Sequence, residues 1–75
     1  MIKATKVHNS LPTGVRDCVI ALGPYPNVGM MIGAMNAAWA GSGKFESRFD
    51  DRGRKFAMFR DGALSTFVCF LEEVR

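Results

Sequence analysis

Seventy-five residues and 8.2 kDa leave room for one small domain, residues 1–75, and one modest core. The chain is 48% hydrophobic and 23% charged without a low-complexity tract, a globular composition that excludes a disordered or fibrous polymer. Ten Lys and Arg against seven Asp and Glu leave +3, which permits a polyanionic partner without requiring one.

The opening Met1-Ile2-Lys3-Ala4-Thr5-Lys6-Val7-His8 alternates apolar and polar side chains and lacks the apolar run of a signal peptide. It predicts a strand over 2–8, patterned weakly enough to sit at a sheet edge. Residues 15–22 support two readings. Val15, Cys18, Val19 and Leu22 recur at helical spacing, with Thr13 as a cap and Gly23-Pro24 as a stop, whereas Cys18-Val19-Ile20-Ala21-Leu22 reads as a short buried strand. The helix is preferred.

Asn27 is an N-cap for a helix from Val28 to about Ala40, ended by Gly41. Gly29, Gly33, Ala37 and Gly41 fall four apart and form a ridge of small residues, with Met30, Met31, Met35 and Trp39 supplying bulk around it. Glycine inside a helix costs about 1 kcal/mol relative to Ala, so the ridge predicts close approach of another backbone. The apolar stretch 28–41 is shorter than the ~20 residues needed to cross a bilayer and is interrupted by Asn36, so no membrane role is expected.

From Phe45 the pattern changes to a meander. Asp50-Asp51-Arg52-Gly53 and Asp61-Gly62 are turn signals. Closing the first turn on Phe49 and Arg54, and the second on Arg60 and Ala63, puts Phe45, Phe49, Phe56, Met58, Phe67 and Cys69 on one face. The other face then receives Phe59, Leu64, Val68 and Phe70 with Glu46, Arg48 and Lys55. The predicted fold is α+β: a strand, a short helix or strand, a central apolar helix and a three-stranded antiparallel meander, in the order β-α-α-β-β-β or β-β-α-β-β-β.

Chemistry is sparse. Ala38-Trp39-Ala40-Gly41-Ser42-Gly43-Lys44 fits a relaxed phosphate-binding loop, but Phe45 stands where Ser or Thr must ligate Mg²⁺, and the flanking elements are in the wrong order. A Cys18 nucleophile needs a base, and the single histidine, His8, has no spacing that demands their meeting. One His, two separated Cys and dispersed carboxylates make no metal-ligand set. No catalytic residue, cofactor or metal is expected, and the chain is read as not an enzyme. The two cysteines, lacking CxxC or dense spacing, predict reduced thiols and a cytoplasmic location.

Two binding surfaces remain. Both meander faces are apolar and 75 residues offer little to cover the second, which predicts a protein partner, with self-association. The contacting residues would be Met30, Met31, Met35 and Trp39 of the helix and Phe59, Leu64, Val68 and Phe70 of the meander. A chain of this size without a site fits an inhibitor or modulator of a larger machine. The alternative is nucleic acid on a basic hairpin. Residues 44–60 hold Lys44, Arg48, Arg52, Arg54, Lys55 and Arg60 against three acids, whereas residues 61–75 are net −2.

Overall fold

In the computed structural model, which describes residues 1–74, two helices lie on one side of a four-stranded antiparallel sheet. The elements run β1 (Ile2–Thr5), α1 (Thr13–Ala21), α2 (Val28–Ala38), β2 (Lys44–Phe49), β3 (Lys55–Asp61) and β4 (Leu64–Glu73). The fold is α+β, the β-α-α-β-β-β order of the two predicted. Sheet order is β1-β4-β3-β2, so the first strand closes the meander at its free side and is an edge, as its weak pattern implied.

The N-terminal strand is shorter than the 2–8 span expected. Lys6 takes a positive φ of 51°, which turns the chain out of the sheet. Val7 is thereby sent to the core, and the His8 amide donates to the Val68 carbonyl at 2.9 Å. The exposed side of β1 is covered by Tyr25: Ile2 N–H donates to Tyr25 O at 2.6 Å and Tyr25 N–H to Ile2 O at 2.9 Å. Such cover removes a free edge on which another strand would pair.

Residues 13–21 are helical because Val15 and Val19, one turn apart, both reach the core at 1% exposure. Thr13 lies inside the first turn rather than capping it; Pro12 holds the cap position, and no side chain caps the end. In α2 the Asn27 side chain accepts from the Met30 amide at 2.9 Å, the expected cap. Met31 and Met35 point inward and are fully buried. The helix ends at Ala38, before the expected Ala40, because Trp39 goes extended and its indole N–H donates to Ser42 O at 2.9 Å.

Asn36, in the sequence only an interruption of an apolar run, joins the two layers. Its amide donates to Phe45 O at 3.1 Å, and its carbonyl oxygen accepts from Phe45 N–H at 2.8 Å. Strand β2 is the other sheet edge, so one side chain satisfies both outward backbone groups of Phe45 and seats that ring, 2% exposed, in the core.

Registers differ from expectation at both turns. Phe49 pairs with Lys55, not Arg54, because Asp50 and Arg54 close the loop: Asp50 N–H donates to Arg54 O at 2.9 Å and Gly53 takes a φ of +78°. The second turn closes on Asp61 and Leu64, with Gly62 at φ +60° in the first loop position, where a two-residue type II′ hairpin needs glycine. The decisive departure is a bulge in β4. Met58 pairs with Phe67 but Ala57 pairs with Cys69, leaving Val68 as an inserted residue.

These shifts correct the face assignment. Phe45, Phe59, Ala57, Val68, Cys69 and Leu71 belong to the core with the helices, and Phe56, Met58, Phe67 and Phe70 lie on the opposite face. Phe59 and Val68 are therefore removed from the open face, and Phe56, Met58 and Phe67 are added to it. The inserted Val68 lets adjacent Val68 and Cys69 both be fully buried, and puts Phe67 and Phe70, three apart, on one side.

Candidate functional site

The helices cover one sheet face only, and segment 15–22 packs beside α2 instead of crossing to the other. Two surfaces of opposite character result.

The helix layer is nearly without charge. Arg16 and Asp17 of α1 are the only charged residues in either helix, and α2 has none. On α2, Met30 is 51% exposed, Gly29, Gly33 and Ala37 are exposed, and a Cβ added at Gly33 would meet nothing within 4 Å. The close backbone approach expected for the small-residue ridge is not made within the chain. Of the other helix residues predicted to contact a partner, Met31 and Met35 are core. Trp39 is half-buried, edge-on to Phe59 and Phe45 at centroid distances of 5.5 and 6.5 Å.

The helix-free sheet face is built from side chains that alternate with the core positions. Its centre is a run of aromatic rings: Phe56 to Phe67 at 5.7 Å, Phe67 to Phe70 at 5.1 Å, with the His8 ring 6.2 Å from Phe67 and Met58 beside them. Around it stand Lys3, Lys44, Arg48, Arg54 and Arg60, against Glu46, Asp50 and Glu72. Glu46 pairs with Arg48 at 3.3 Å and Arg60 at 3.7 Å, both guanidiniums about half exposed, and Glu72 accepts from the Thr5 hydroxyl at 2.5 Å. The Arg54 guanidinium lies over the Phe70 ring at 4.2 Å.

The remaining predicted contacts scatter. Leu64 is 73% exposed at the second turn. Arg52 is exposed in the first turn, and the Lys55 ammonium sits over the Phe49 ring at 4.6 Å on the helix side of the sheet. The basic hairpin tip is partly neutralised from within. Asp50 accepts from the amides of Arg52 at 2.9 Å and Arg54 at 2.8 Å and pairs with the Arg54 guanidinium at 3.1 Å. Desolvation pushes its carboxyl up, but the Arg54 and Arg52 amides and the Arg54 charge hold it below the ordinary carboxylate value.

For catalysis the described residues offer little geometry. Burial pushes the Cys69 thiol up to about 12 and also raises Cys18, whose Sγ–H points to Met35 O at 3.7 Å, so neither is a thiolate at neutral pH. His8 Nδ1 is engaged by Ser10, by its amide at 3.1 Å and its hydroxyl at 2.8 Å. No cluster of three or more His, Cys, Asp or Glu suited to a metal occurs among the described residues. A shallow open depression lined by Gly43, Lys44, Glu46, Arg60, Asp61 and Gly62 balances two cations with two carboxylates. No described helix is long and apolar enough to cross a membrane.

No protein-family model matches the chain, no curated protein is detectably similar to it, and no solved structure matches it.

Proposed function

We propose that this protein is a non-catalytic interaction module that binds protein, a second copy of itself among its partners, through the outward side of α2. The observation that carries the reading is the composition of that helix. A helix apolar on all sides is ordinarily buried on all sides, yet α2, with no charged residue in eleven, buries only its Met31 and Met35 side and leaves Met30 and Gly33 open. Small residues at 29, 33 and 37 suit close approach of a second helix, since interaxial distance follows the size of the side chains at the contact. A larger protein as the final target, and a role as inhibitor or modulator of a larger machine, agree with described residues whose polar groups form no catalytic constellation. Two free cysteines support a cytoplasmic location.

The test is light scattering on size-exclusion peaks over a range of concentrations. The wild-type chain is expected to shift toward a dimer as concentration rises. Gly33→Glu, placed in open space, is expected to stay monomeric with an unchanged circular dichroism spectrum. A wild-type chain that is monomeric throughout, or a Gly33→Glu protein that dimerises equally, removes self-association through α2.

A further inference from the structure

The helix-free sheet face supports a different occupant. We propose that it is a binding platform for single-stranded nucleic acid, with unpaired bases stacking on Phe56, Phe67 and Phe70 and phosphates held by Lys3, Lys44, Arg48 and Arg60.

Charge selects the class of partner. Five cations against three carboxylates, the Asp50 paired with Arg54 included, give this one face a +2 balance, while the helix layer contributes one cation and one anion. Protein-interface cores are depleted in charge, and an aromatic centre ringed by Arg and Lys is instead the layout of surfaces that track a sugar-phosphate backbone. Glu46 does not cancel the patch. It is shared by Arg48 and Arg60, one on each carboxylate oxygen, and about half of each arginine stays exposed. A carboxylate shared by two cations leaves net positive charge for a phosphate.

Shape selects the strand state. The seven residues of β3 make a strip about 23 Å long at the ~3.3 Å rise of a strand. A sheet of four strands is too broad to enter a duplex groove face-on, and the bases of a duplex are stacked and cannot reach the rings. Single strands present both base faces and phosphates to one surface, and stacking on Phe is tolerant of sequence. The site differs from the hairpin tip read from sequence. There Asp50 occupies the Arg52 and Arg54 amides, and the Arg54 side chain is folded back over Phe70, extending the aromatic run with a planar guanidinium.

Fluorescence anisotropy with labelled oligothymidylate, oligouridylate and a mixed-sequence duplex, on the full chain, tests this. Single strands are expected to bind at about 50 mM salt, more tightly than the duplex, with a salt slope of about −2 to −3 if three to four phosphates are contacted. Phe67→Leu and Phe70→Leu, which keep an apolar side chain, are expected to weaken binding about tenfold each. Lys44→Gln, a surface change that leaves the fold intact, is expected to lower the slope by about 0.7. Gly33→Glu, on the opposite side, is expected to change nothing. A preference between the thymidylate and uridylate arms distinguishes DNA from RNA within the proposal. Absence of binding at low salt, duplex bound as tightly as single strand, or full affinity in folded Phe67→Leu and Lys44→Gln proteins overturns it.

Discussion

The two sides of this small protein are built from the same kinds of side chain put to different use. On the helix side, Phe45, Phe59, Met31, Met35, Val15 and Val19 interlock, and polar groups are few and fully engaged, as Asn36 is by Phe45. On the open side, Phe56, Phe67 and Phe70 also touch and stay half-buried beside a buried Met58, but Arg54 lies over Phe70 and cations stand around the rings instead of a second layer. An aromatic cluster covered by a helix is a core; the same cluster covered by long charged side chains stays reachable, because those chains move aside at little cost. The contrast separates stability, on one side, from the polyanion contact proposed for the other.

The sharpest way to break that contrast is to hollow out the helix side at Phe45. Phe45→Ala should cost about 3–5 kcal/mol in chemical denaturation, whereas Phe70→Leu should cost below about 1.5 kcal/mol. Equal costs would mean that the open face is as much a core as the helix side.

Asn36→Ala removes both bonds to the Phe45 backbone and leaves two edge groups without protein partners. A loss of about 1–3 kcal/mol is expected by the same measurement. A gain is expected at Gly33: Gly33→Ala should stabilise by about 1 kcal/mol, because a Cβ there meets nothing and alanine is the better helix former. The smallest effect concerns the first turn. The Asp50 carboxyl is held below its unfolded value, so its contribution is present above about pH 4 and lost as pH falls through the folded value. Amide exchange protection of the Arg54 N–H should fall in that acid range, and Asp50→Asn should flatten the dependence.

The open face was legible in outline and not in membership. Alternation from the expected turns puts Phe70 there, where it lies, but also puts Phe59 and Val68 there and Phe56, Met58 and Phe67 on the other face. At the first turn Asp50 accepts two amides, and its backbone closes on Arg54 around three residues, one fewer than the Phe49–Arg54 closure encloses. The bulge error had no local signal, since Phe67-Val68-Cys69-Phe70 is apolar throughout and alternation within it cannot be read. The Asn36 bonds to Phe45 are not legible either, because one polar residue in an apolar helix announces a partner without naming it.

The sequence by itself determined the α+β class, the Asn27 cap, the location of the two meander turns and the edge position of the first strand. Each depends on residues a few positions apart: a side-chain oxygen three residues before an amide, or a glycine where φ must be positive. Only the tertiary structure decided which face of the sheet is covered, that both helices share it, and where β4 bulges. Those outcomes depend on which rings fit beside Met31 and Met35 and which backbone groups find partners across the fold, such as Val68 O with the His8 amide. Packing of residues sixty positions apart leaves no trace in local pattern, and it is packing that divides this chain's nearly uniform apolar content into a core and an open surface.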